Sequence, residues 1–86
     1  MTVGLTALDG WMIYLAAERA VVRLDDGRTG RLVAWRPQRK RGSRPAVARI
    51  EYPSAKRATV HIRRVVAYED DNGEWVPLPR DTERAG

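Results

Sequence analysis

Ala20-Val21-Val22-Arg23-Leu24-Asp25-Asp26-Gly27-Arg28-Thr29-Gly30-Arg31-Leu32-Val33-Ala34-Trp35-Arg36-Pro37 is the stretch that decides the fold. Ala20–Leu24 is short and β-branched. It runs into Asp25-Asp26-Gly27-Arg28, which carries a hairpin signal. Thr29–Arg36 resumes an extended pattern until Pro37, which cannot donate to a ladder and stops the strand.

The same grammar repeats downstream. Ala46–Tyr52 and Ala58–Ile62 alternate and read as strands around a turn at Pro53-Ser54-Ala55-Lys56-Arg57. Val65–Tyr68 is a further strand. Asp71-Asn72-Gly73 marks another hairpin, and Glu74–Pro79 returns as an edge strand limited by its prolines. Between them, residues 37–45 hold no apolar member except the bounding prolines and read as a mobile basic loop. Trp11–Arg19 fits either a strand or a short helix, and its Trp, Ile and Tyr content tilts it toward a strand or turn over one end of the fold. Residues 1–19 are therefore an N-terminal extension, 20–79 a single small domain, and 80–86 a frayed tail.

Short strands with frequent turn signals predict a mainly β protein, a small barrel with a C-terminal hairpin. Period-two alternation assigns Val22, Leu24, Leu32, Ala34, Ala48, Ile50, Val60 and Ile62 inward. Arg23, Arg31, Val33, Trp35, Arg49, Glu51, Thr59 and His61 face outward, and one bulge would reverse a strand.

The chain has 86 residues, enough for one core that hides about 60% of its unfolded surface. There is no cysteine, so a disulfide framework is excluded and the cytoplasm is the default location. The longest apolar run, Trp11–Ala17, is far below the roughly 20 residues of a membrane span.

Charge is segregated. Residues 1–27 have four acids against two bases, and residues 65–86 have six acids against two bases. Residues 28–64 have twelve bases and the single acid Glu51. Such a block marks a polyanion partner, and arginine, which far outnumbers lysine here, offers a planar fork for phosphate. A GC-rich genome would also yield that arginine excess.

Catalysis is not expected. His61 is the lone histidine, Ser43 and Ser54 are the only serines, and no nucleophile elbow or phosphate loop is present. Glu69–Glu74 lacks the ligand spacing of a calcium loop and reads as a turn. No metal or cofactor is expected.

The order Val21–Arg28, Gly30–Val33, Arg49–Pro53 and Thr59–Val65 resembles the SH3-like small barrels of the Tudor and KOW kind. In those domains a strand ends in Asp-Gly, the next opens with Gly and an inward aliphatic, and one tight helical turn joins the fourth and fifth strands. Ile62-Arg63-Arg64-Val65 would be that turn. The resemblance implies a five-stranded barrel and a binding role. The composition is similar in style to that of actinobacterial and bacteriophage proteins.

The function expected is a nucleic-acid-binding module, DNA slightly before RNA, that holds the phosphate backbone with weak sequence preference. Its candidate residues are Arg31, Trp35, Arg36, Arg39, Lys40, Arg41, Arg44, Arg49, Lys56, Arg57, Arg63 and Arg64. The alternative is a protein-interaction module that meets an acidic protein surface, such as a bacteriophage accessory protein docking on a host complex. Unlike-charged segments would also permit self-association.

Overall fold

A computed structural model describes residues 7–39, 42 and 44–79. One helix precedes six strands: α1 (Ala7–Glu18), β1 (Val21–Leu24), β2 (Thr29–Arg36), β3 (Val47–Glu51), β4 (Arg57–His61), a 3₁₀ turn (Ile62–Arg64), β5 (Val65–Glu69) and β6 (Trp75–Pro77). The strands form one antiparallel sheet in the order β4-β3-β2-β1-β5-β6. The mainly β class is therefore as expected. The sixth strand extends that sheet through its ladder with β5.

The sheet has to curl. In its hydrogen-bonded order β4 and β5 stand four positions apart, about 19 Å in a flat sheet at about 4.8 Å per strand. Yet only Ile62–Arg64 joins them, and a 3₁₀ path of that length advances only about 8 Å. The link is tied at both ends: Ile62 donates its amide to the Ala46 carbonyl at 3.3 Å, and the Arg64 carbonyl accepts from Asp25 at 2.8 Å. His61 caps this turn, its Nδ1 accepting from the Arg63 amide at 3.1 Å.

The N-terminal segment is a helix, which corrects the preference for a strand or turn. Leu8, Met12 and Leu15 recur at helical spacing and are the side chains α1 buries in the core, beside Val22, Leu24, Leu32, Ala48 and Ile50. The helical stripe begins before Trp11, so a reading that starts there loses its period. Arg19 ends the helix at φ 50°, with Arg19 and Ala20 donating to the carbonyls of Ala16 and Leu15.

A bulge in β2 corrects a second expectation. The register passes from Leu32↔Ile50 directly to Ala34↔Arg49, leaving Val33 as an extra residue. Beyond it the faces exchange. Ala34 is exposed opposite Arg49, whereas Trp35 lies opposite the buried Ala48 and packs on the core. The inward assignments of Val22, Leu24, Leu32, Ala48, Ile50, Val60 and Ile62 match burial.

Three of the four hairpins, β1–β2, β3–β4 and β5–β6, share one plan. Gly27 donates to the Leu24 carbonyl, Ala55 to Tyr52 and Gly73 to Asp70, and Leu24, Tyr52 and Asp70 donate to residues four further on. Each turn closes on a left-handed residue: φ is 90° at Gly27, 72° at Ala55 and 80° at Gly73. This is the three-residue hairpin loop that glycine favours at its last position.

Two outcomes follow. Ala55→Gly relieves the left-handed strain in the one hairpin without a glycine and should stabilise the chain by about 0.5–1 kcal/mol in a denaturant titration. Gly30→Ala should do the reverse. A Cβ there would lie 2.5 Å from Ile50 Cγ2 and 2.9 Å from the Glu51 carbonyl oxygen, beside the Arg31–Glu51 pair where the β2–β3 ladder begins. The expected loss is about 1–3 kcal/mol, read as a lower midpoint at unchanged slope.

Candidate nucleic-acid interface

Three strands supply the candidate surface. Directly paired residues of antiparallel strands share a face, so the registers of β2, β3 and β4 define three outer rows. One row is Arg31–Glu51–Arg57, the next Ala34–Arg49–Thr59, and the third Arg36–Val47–His61. Four arginines thus share the outer face with one carboxylate, that of Glu51. Glu51 pairs with Arg57 at 3.5 Å.

A groove of about 480 Å³ opens at the Arg36 end of this face. Trp35, Arg36, Arg44 and Arg49 line it, with Val47 and Thr59. None of these arginines is in an ion pair among the described residues. The bulge brings Trp35 here by a route other than the one expected. Half-buried, it rests on the core from the inner side of the sheet and lines the groove.

The remaining candidates lie elsewhere or have local partners. Arg31 donates to the Arg19 carbonyl at 2.7 Å. Arg39 is exposed in the loop after β2, and Lys56 is exposed in the β3–β4 turn. Lys40 and Arg41 lie outside the described residues, as does the expected tail at 80–86. Arg63 is exposed on the 3₁₀ turn. Arg64 turns to the β1–β2 hairpin, where its Nε reaches Asp25 at 3.0 Å and its second terminal nitrogen reaches Asp26 at 3.1 Å. Arg28 also pairs with Asp26, at 3.7 Å. The basic block is therefore divided: Arg31, Arg36, Arg49 and Arg57 gather on the outer face, joined by Arg44, while Arg28 and Arg64 are balanced by Asp25 and Asp26.

That hairpin cluster shifts titration. The Arg28 amide, donating to Asp26 at 2.9 Å, is the main cause holding the Asp26 carboxyl below its ordinary range, helped by the Arg28 and Arg64 charges. Arg64 is raised in turn, first by its hydrogen bond to Asp25.

The sequence reading passed over an aromatic group. Trp11 and Tyr14 on α1 meet at 6.0 Å between ring centres, nearly perpendicular, and Trp11 and Tyr68 on β5 at 5.2 Å. The spacing of three between Trp11 and Tyr14 was the available signal, legible only once the segment is helical. Arg23 lies 4.3 Å from the ring centre of Trp75 across β1, β5 and β6.

Among the described residues no group of three His, Cys, Asp or Glu side chains could hold a metal ion. No helix among them is long and apolar enough to cross a membrane. Comparison with protein-family models, curated proteins and solved structures finds no match.

A depressed carboxyl contributes stability that is complete above its unfolded pKa and is lost as pH falls through the folded value. For Asp26 that window begins near its ordinary value of 3.8 and runs downward. Asp26→Asn keeps an acceptor for the Arg28 amide but removes the charge. Its unfolding free energy should lie below the parent's at neutral pH and change less between neutral pH and the acid limit. Parallel curves over that range would contradict the assignment.

Proposed function

We propose that this chain is a small SH3-like module that binds nucleic acid, DNA before RNA, by its phosphate backbone on the outer face of β2, β3 and β4. The curled antiparallel sheet and the 3₁₀ link before β5 support the SH3-like reading. The groove of Arg36, Arg44 and Arg49 beside Trp35 carries the functional one. Guanidinium groups without carboxylate partners suit a polyanion, because each contact to a phosphate releases condensed counterions. Arginine forks engage phosphate oxygens in pairs and do not require a particular base. Among the described residues no helix projects from this face as a reading head, which suits weak sequence preference.

Binding then rests on few charges. Arg36, Arg44 and Arg49 form the centre, with Arg39 and Lys56 at its margins. Arg31 and Arg57 contribute field while held by the Arg19 carbonyl and by Glu51. Trp35 offers a ring to an unstacked base at a strand end or opening.

With three phosphates neutralised, affinity for duplex DNA should fall about 40-fold between about 50 and 200 mM salt. Arg49→Ala should lower the log–log salt slope by about one, whereas Arg28→Ala, already balanced by Asp26, should leave it unchanged. Negligible binding at the lower salt, or equal losses from the two variants, would overturn the proposal. An acidic protein captured by the same face, with no binding to nucleic acid, would favour the protein-interaction alternative.

A further inference from the structure

We infer that the trough between α1 and β5 is a second binding site, which docks a partner-protein segment carrying arginine beside aliphatic side chains. It does not depend on the nucleic-acid reading: of the outer-face arginines only Arg31 borders it, and that side chain is turned to the Arg19 carbonyl.

The trough is about 480 Å³ and is lined by Ala7, Gly10, Trp11, Tyr14 and Tyr68. A side chain added at Gly10 would meet nothing within 4 Å, so the floor is open. Tyr14 is 53% exposed and its neighbour Ile13 48%, and they are the exposed large hydrophobics of the described chain. A helix that has already placed Leu8, Met12 and Leu15 in the core has no need of apolar side chains on its outer side. Tyr14 continues this apolar outer side into the trough, where it joins Trp11 and Tyr68 in one aromatic group.

Charge selects the occupant. Tyr14 and Tyr68 also line an adjoining cleft of about 280 Å³, whose rim carries Glu18, Glu69, Asp70 and Asp71. None of the four is in an ion pair among the described residues. Asp70 is occupied locally, its Oδ1 accepting the Asn72 and Glu74 amides at 2.9 Å, which leaves Glu18, Glu69 and Asp71. The cations at this cleft are Arg19 and Arg31, and Arg31 is turned to the Arg19 carbonyl. An aromatic trough ending in carboxylates repels phosphate and suits a planar cation, which stacks on a ring and forks onto a carboxylate. The aliphatic neighbours of that cation would fill the space over Ala7 and Gly10. The same preference runs against the chain's overall charge of +5, so non-specific attraction cannot produce it.

The probe is a short peptide of alternating arginine and leucine, with a glutamate–leucine peptide of equal length as control. Titration of the full chain, followed by calorimetry and amide NMR, should show the arginine peptide binding at least about tenfold tighter, with shifts centred on Tyr14 and Tyr68. Tyr14→Ser should weaken it about fivefold, and Glu18→Lys with Asp71→Lys should erase the preference between the peptides. Both variants alter exposed positions, and unchanged circular dichroism would establish that they fold. Tyr14→Ser should leave the salt slope for DNA untouched, which separates this site from the outer face. Equal affinity for the two peptides, shifts located elsewhere, no binding, or a self-associated chain that Tyr14→Ser returns to monomer would each overturn the inference.

Discussion

The extra residue in β2 is the constraint on which the rest of the molecule depends. β2 runs the length of the sheet, pairing with β1 through its first half and with β3 along both halves. A regular eight-residue strand would keep Leu32 and Ala34 on one side and Trp35 on the other. The bulge at Val33 breaks that parity, so Leu32 seals the middle of the core and Trp35 seals its far end. Bulges also deepen local twist and bend the strand. That bend serves a sheet whose β4 must come within a three-residue link of β5. At the other end of β2, Gly30 lets its backbone close on Ile50 and Glu51 more tightly than any side chain would permit. One strand thus fixes both the core contents and the curl.

Legibility follows from whether a signal is local. Thr29–Arg36 is bounded as the alternation and Pro37 require, and β1, β3, β4, β5 and β6 lie within one or two residues of their expected limits. These signals are short in range: β-branched alternation, an Asp-Gly or Asn-Gly turn, a proline stop. The helix was harder to see because both of its sides are apolar. With Ile13 and Tyr14 outside and Met12 and Leu15 inside, α1 has almost no contrast between faces, and its period disappears from the sequence. The bulge was invisible for a related reason. Val33, Ala34 and Trp35 are all acceptable in either orientation, and only the pairing with β3 chooses.

The candidate site was legible as chemistry and not as geometry. Twelve bases in residues 28–64 could be counted, but their partners could not. Arg64 meets Asp25 and Asp26 from nearly forty residues away in sequence, through a link whose direction depends on the curl of the sheet. Arg31 and Arg57 are held over shorter separations, by the Arg19 carbonyl and by Glu51 across the β3–β4 hairpin. Trp35 was set beside Arg49 on the outer face; it reaches the same groove from the core side. The aromatic group on α1 and β5 depends on two things the sequence hid, that residues 7–18 are helical and that β5 lies beneath that helix's exposed side.

Base composition alone is a weak account of where the arginines stand. A genomic bias supplies arginine without regard to face or neighbour, and an ordinary solvated sheet surface compensates it with opposite charges across the strands, since like charges placed side by side are unfavourable. The hairpin end of the molecule behaves that way, with Arg28 and Arg64 set against Asp25 and Asp26. The outer face does so only in the Arg31–Glu51–Arg57 row. In the next two rows Arg36 stands opposite Val47, and Arg49 between the exposed Ala34 and Thr59, where an acid on either neighbouring strand would have offset its charge without disturbing the core. The carboxylates that could have done so are found instead around the aromatic trough. Arg36 and Arg49 on the outer face and the carboxylates around the trough stand on separate surfaces, which is the separation that the proposed phosphate-binding face requires.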